Sequence, residues 1–143
     1  MKSHKLFFEQ YYKMYRPFVS QLNQKLVQHE LYSSQYAVLK LIHTENELTL
    51  GEISRHQAVE RPTITRTVQR LKELGFVQAG PGKDKREKMI HLTPLGEDMY
   101  QDIRHSIADF QLKSLEGISE DELLNTIDVL AKVHQNLTSI EGE

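Results

Sequence analysis

Apolar residues recur every three or four positions through most of this chain, and the runs they form divide it into helices. From about Leu6 to His29 they fall at Phe7, Tyr11, Met14, Phe18, Leu22 and Leu26, which predicts a long amphipathic helix. Pro17 lies inside that run. An interior proline loses one hydrogen bond and crowds the carbonyl four residues back, so a kink or a helix start is expected there. Ser33 or Ser34 offers an N-cap for a second helix through Ile42, with Tyr36, Val38 and Leu39 facing inward. Thr49 with Glu52 has the spacing of a capping box and opens a short third helix to about His56.

A turn over Gln57 to Val59 leads into the stretch Glu60 to Val77, in which Ile64, Val68, Leu71 and Leu74 share one helical face. Pro62 suits a first-turn position and Gly75 suits an αL stop. The other face carries Pro62, Thr63, Thr65, Arg66, Gln69 and Arg70, with Arg61 at its start. Guanidiniums, an amide and hydroxyls are the groups that reach base edges and phosphates. Two short helices joined by a tight turn, the second polar on its outer side, form the helix-turn-helix pattern.

The period then changes. Phe76 to Ala79 and Met89 to Leu92 are short and β-capable, and between them stand two glycines and a proline. This predicts a two-stranded hairpin whose tip carries Lys83, Lys85, Arg86 and Lys88, with Asp84 among them. A basic ribbon directly after a recognition-type helix is a wing, suited to phosphates or a minor groove. Two helices follow. Thr93-Pro94 starts the first, lined by Leu95, Met99, Ile103, Ile107 and Phe110. Gly117 ends it, and Ser119 with Glu122 caps the second, lined by Leu123, Ile127, Leu130, His134 and Leu137.

Charge sharpens the picture. The chain has 143 residues and a formal net charge of −2. From Arg55 to His91, however, nine Lys or Arg face four Asp or Glu, giving +5, whereas from Glu97 onward three basic residues face eleven acidic ones, giving −8. A local positive field, not bulk charge, attracts a polyanion. The acidic last third should face away from it. With no cysteine there is no disulfide and no thiol chemistry. No run is apolar enough to span a membrane and no signal peptide opens the chain, so a cytoplasmic location is expected.

The segments Gln35-Tyr36-Ala37-Val38-Leu39, Ile53-Ser54, Arg61-Pro62-Thr63-Ile64-Thr65-Arg66, Leu71-Lys72-Glu73-Leu74-Gly75-Phe76-Val77, Asp84-Lys85-Arg86 and Leu92-Thr93-Pro94-Leu95-Gly96 together resemble the MarR family of bacterial transcription regulators. The Asp-x-Arg of the wing followed by Leu-Thr-x-x-Gly is the most specific part. The resemblance implies a homodimer of winged helix-turn-helix subunits on a pseudo-palindromic double-stranded operator, often a repressor tuned by a ligand. It further implies DNA contacts from Arg66, Thr63 and Thr65, and a wing in which Asp84 braces an arginine and Arg86 or a neighbour enters the minor groove. Glu60, where a small cap residue is common, and Tyr32, where threonine is common, depart from the family pattern.

Other chemistries find little support. The seven histidines are scattered and suit metal ligation only in pairs, such as His105 with Asp109 at i, i+4, so no metal site and no cofactor is expected. Glu120, Asp121 and Glu122 occupy a first helical turn, which the dipole favours. There is no phosphate-binding glycine loop and no nucleophile elbow, so an enzyme is not expected. The aromatic group Tyr11, Tyr12, Tyr15, Phe18 and Tyr36, with Arg16 beside it, suits either dimer core or a pocket for a small aromatic or phenolic ligand. The competing class is a winged-helix module used only for protein contacts, but such a face should expose more apolar area. The expected fold is mainly α with a small β-hairpin wing: one domain over 1–143. Its winged helix-turn-helix lobe spans 32–92, and residues 1–31 with 93–143 form a helical dimerisation lobe.

Overall fold

The computed structural model describes residues 2–81 and 88–141. Six helices and three short strands follow one another: α1 (Lys2–Val27), α2 (Ser33–Glu45), β1 (Glu47–Leu48), α3 (Leu50–Gln57), α4 (Arg61–Glu73), β2 (Val77–Pro81), β3 (Lys88–Leu92), α5 (Pro94–Ser114) and α6 (Glu120–Glu141). The chain forms two compact units, Met1–Asp109 and Phe110–Glu143.

In the first unit the buried core comes from the helical faces and the sheet. Leu26, Leu31, Leu39, Ile42, Ile53, Leu71 and Ile103 are fully buried, joined by Val38, Ile64, Val68, Ile90 and Ile107. α1 runs unbroken through Pro17. The missing amide removes a single bond from a helix with more than two turns on either side, which is not enough to end it. Its expected apolar face is mostly in contact with solvent: only Leu26 is buried, and Phe7, Tyr11, Met14 and Phe18 are exposed.

α2 is capped by Tyr32, not by Ser33 or Ser34. The Gln35 side chain accepts a hydrogen bond from the Tyr32 amide at 3.0 Å, and Asn23 of α1 accepts one from the Ser33 amide at 2.9 Å. One side chain from the first turn of α2 and one from α1 thus satisfy donors at this helix end. α3 opens as the Thr49 and Glu52 spacing predicts: Thr49 Oγ1 accepts from the Glu52 amide at 3.1 Å, and Glu52 Oε1 accepts from the Thr49 amide at 3.4 Å.

The sheet has three strands, not two. Its order is β1-β3-β2, all antiparallel, with Val77 opposite Leu92, Pro81 opposite Lys88, and Glu47 opposite His91. The extra strand is two residues long, too short for any alternation to mark it.

α5 buries Gly96, Tyr100, Ile103 and Ile107, while Leu95 is exposed and Met99 half-buried. The expected face was displaced by one residue at its start. Gly96 causes this: a Cβ there would lie 2.0 Å from the Phe76 carbonyl oxygen, so the helix approaches the backbone of the α4–β2 connection through its glycine. In the second unit, Gly117 has φ +82° and Ser119 forms a capping box with Glu122, with Ser119 Oγ accepting from the Glu122 amide at 3.1 Å. Leu124, Ile127, Leu130, Leu137 and Ile140 of α6 are all exposed.

Candidate nucleic-acid interface

The helix-turn-helix is built from α3, a tight turn and α4. Ala58 ends α3 in the left-handed region, at φ 52° and ψ 43°. The Val59 amide donates to the Ser54 carbonyl at 3.2 Å, and Ser54 Oγ donates to the Val59 carbonyl, so one serine closes the turn from both sides. Glu60 then precedes α4 without a side-chain cap; its carbonyl accepts from the amides of Thr63 and Ile64 at 3.1 and 3.2 Å. At the far end the Gly75 amide donates to the Lys72 carbonyl and the Phe76 amide to the Leu71 carbonyl, each at 2.9 Å, with Gly75 at φ +83°.

Burial of Ile64, Val68 and Leu71 against the core fixes which side of α4 faces out. At about 100° per residue, Pro62, Arg66 and Gln69 stand opposite that face, Thr65 lies on one flank, and Thr63 and Arg70 lie on the other. All six are exposed. Several polar groups already have partners. Thr65 Oγ1 donates to the Arg61 carbonyl at 2.9 Å, Arg66 Nη2 donates to Thr63 Oγ1 at 3.4 Å, and Arg70 lies 3.5 Å from Glu73. The Thr65 hydroxyl therefore offers its methyl and lone pairs outward rather than its proton.

Arg61 is placed differently from its neighbours. It is exposed, but it turns toward the core side and lines a cleft of about 480 Å³ with Arg55, Lys72 and Lys88. Glu52 is the carboxylate on that wall. The cleft joins α3, α4 and the sheet, so the positive charge read from the sequence gathers on three elements. Lys88 begins β3. Lys83, Asp84, Lys85 and Arg86 lie outside the described residues.

The aromatic set expected to line a ligand pocket does not gather in one place. Tyr11 and Tyr15 stand one turn apart on α1 with ring centroids 6.1 Å apart. Tyr15 and Arg16 line an open groove of about 670 Å³ along α1, with Val19, Asn23 and Val27. Phe18 is 39% exposed on the same helix. Tyr36 of α2 stacks on Tyr100 of α5, with centroids 6.1 Å apart. Burial pushes its phenol above the ordinary value and Tyr100 adds to this, while Arg104 opposes it.

That stack leads to a group the sequence reading missed. The His43 ring lies on Tyr100 at 4.1 Å, and its Nδ1 lies 2.9 and 3.0 Å from the two carboxylate oxygens of Glu97. The hydrogen bond from His43 holds the Glu97 carboxyl below its usual range against the effect of burial, with help from Gln101. His91 of β3 pairs with Glu47 of β1 at 3.5 Å. His43 and Glu97 are 54 residues apart, and no local spacing could have joined them. Among the described residues, no group of three or more His, Asp or Glu is arranged to hold a metal ion.

Comparison with known proteins gives a consistent set of likenesses. A family model described as the MarR family matches residues 29–87. An uncharacterized HTH-type transcriptional regulator of Bacillus subtilis is 39% identical over 100 residues, covering 70% of this chain and 73% of that protein. A Staphylococcus aureus protein of the same description is 31% identical over 134 residues, 92% of each chain. The solved structure of a Staphylococcus aureus MarR in complex with salicylate and kanamycin superposes with a TM-score of 0.87 at 29% identity, covering 96% of this chain and 94% of that one.

Proposed function

This chain belongs to the MarR family of transcriptional regulators, and from that premise we propose that it is a sequence-specific repressor that binds a pseudo-palindromic duplex as a homodimer. One observation carries the reading. The outer face of α4 presents Thr63, Thr65, Arg66, Gln69 and Arg70 to solvent from a helix anchored by Ile64, Val68 and Leu71. Arg forks onto guanine O6 and N7, Gln pairs with adenine, and a threonine methyl meets that of thymine. Arg55, Arg61, Lys72 and Lys88 supply the surrounding field that favours phosphates.

Exposed apolar surface supports dimerisation. Phe7, Phe8, Tyr11, Tyr12, Tyr15 and Phe18 are exposed on α1, and α6 carries its own exposed apolar side chains. A second copy is the partner that would cover them, since patches of this kind mark interaction sites. Two recognition helices related by a two-fold axis would read half-sites about 34 Å apart.

Relief by a small aromatic or phenolic ligand is the second part of the proposal. The Staphylococcus aureus relative crystallised with salicylate supports that ligand class, and the α1 groove offers it Arg16 and Tyr15. Selection of duplexes from a random pool by the purified protein, followed by sequencing, tests the central claim. The expected outcome is one enriched motif with two-fold symmetry. Enrichment of no motif would overturn it.

A further inference from the structure

The segment Leu92-Thr93-Pro94-Leu95-Gly96 presents nothing to the outer face of α4, yet it holds one end of that helix. The Thr93 amide donates to the Phe76 carbonyl at 3.0 Å. Thr93 Oγ1 donates to the Gly75 carbonyl and accepts from the Gly96 amide at 3.0 Å. Leu95 Cδ2 lies within 3.5 Å of where a Gly75 Cβ would be, and Gly96 approaches the Phe76 carbonyl too closely for any side chain. One hydroxyl thus ties the C-terminal end of α4 to the N-terminal end of α5. At the opposite end of α4, Glu60 provides no side-chain cap, and the bonds to Ser54 stop at Val59 in the turn.

We propose that Thr93 is a positioning residue for DNA reading, fixing the rotation and slide of α4 relative to α5. The inference rests on the DNA-binding reading above and deepens it. Burial of Ile64, Val68 and Leu71 holds α4 against the core, but apolar contact is non-directional and resists small rotations weakly. A hydroxyl with both a donor and an acceptor partner has a fixed direction at each. A base contact needs its side chain held to within about 0.5 Å, which is the tolerance a directional tie supplies. Movement of the start of α5 therefore reaches the recognition helix with little slack, and this gives α5 a route to regulate DNA affinity.

The test compares wild type, Thr93→Val and Thr93→Ser on a duplex selected by the wild type and on a random duplex of equal length. Folding is checked by circular dichroism at the working temperature. Thr93→Val keeps the shape and loses both hydrogen bonds, whereas Thr93→Ser keeps the hydroxyl. Thr93→Val should lose at least about fivefold in preference for the selected duplex, the lower end of what one misplaced base contact costs. Its random-duplex affinity should stay within about twofold of wild type, and Thr93→Ser should retain the wild-type preference. Should Thr93→Val not fold, Thr93→Ala takes its place, since it removes the same hydroxyl without adding a methyl; its selectivity should fall in the same way. Native selectivity in the folded variant, or an equal loss on both duplexes, overturns the positioning role while leaving DNA binding intact. A wild type with no duplex preference overturns the functional reading itself.

Discussion

On the proposed function, Arg66 is the side chain best placed on α4 to read a base. It stands opposite the buried face of α4 and is steadied by Thr63 at 3.4 Å. Arg66→Ala should relax preference at one or two base pairs by about 1–3 kcal/mol of discrimination, measured by competition between the selected duplex and single-base variants. Ala58 makes a different prediction. Its left-handed conformation costs an L-residue about 1–2 kcal/mol, and glycine escapes this at an entropic cost of about 0.5–1 kcal/mol. Ala58→Gly should therefore stabilise the fold by about 0.5–1 kcal/mol in urea unfolding. Gly96→Ala should do the opposite, by at least the 1–3 kcal/mol typical of overpacking, because the Phe76 carbonyl is part of the backbone and cannot turn aside. The sequence suggested a helix stop at Gly75 and a capping box at Thr49, because both are local rules. It did not suggest Tyr32 as a cap, because tyrosine has no short side-chain oxygen for that role; the local Gln35 serves the Tyr32 amide, and Asn23 of another helix serves Ser33.

Among the elements, α4 matched the helical period, whereas the buried face of α5 begins at Gly96, one residue later than expected. The face of α4 was readable because one side is buried and the other solvated, and a period near 3.6 survives in its apolar positions. The face of α1 was equally periodic, yet Phe7, Tyr11, Met14 and Phe18 are exposed in the single chain; periodicity reports a surface that wants covering, not what covers it. β1 was invisible because two residues carry no alternation. The join between α2 and α5 yields a pH prediction. The Glu97 carboxyl is held below its usual range by His43, so in the folded protein it ionises more readily than in the unfolded chain. Its contribution is complete above the unfolded value, about 4.3, and is lost as pH falls through the lower folded value. Glu97→Gln should therefore reduce stability near neutral pH, and the difference from wild type should shrink below about pH 4.3. Thermal melts across pH 3 to 7 measure it. A constant difference across that range would assign the effect to packing. For the proposed wing, Lys85→Gln, Arg86→Gln and Lys88→Gln together should lower the slope of log affinity against log salt by roughly one per lost phosphate contact.

For the whole molecule, the charge distribution and the apolar surface point to separate tasks. Basic side chains gather on α3, α4 and β3, and acidic residues dominate after Glu97. The exposed aromatic side chains of α1 and the apolar side chains of α6 are the surfaces a second copy would cover. Removal of residues before Pro17, or of those after Thr126, should give a product that aggregates or stays monomeric and fails on a two-half-site duplex. Light scattering coupled to chromatography reads the mass, and a soluble truncated monomer with native affinity for the full site would refute the dimer. A thermal-shift screen of aromatic acids and phenols, followed by release from the selected duplex, tests ligand control. Arg16→Ala should blunt the response to a true effector.

The two-residue strand β1 has a mechanical consequence. It pairs Glu47 with His91 and Leu48 with Ile90 at the root of the β2–β3 ribbon, and it connects directly to Asn46 at the end of α2 and to Thr49 at the start of α3. The ribbon is thus built in at its root, where the register at Leu92 and Val77 is set beside a third strand. A shift of β3 at that root is passed, through β1, to Asn46 and Thr49, and so to both helices that β1 connects.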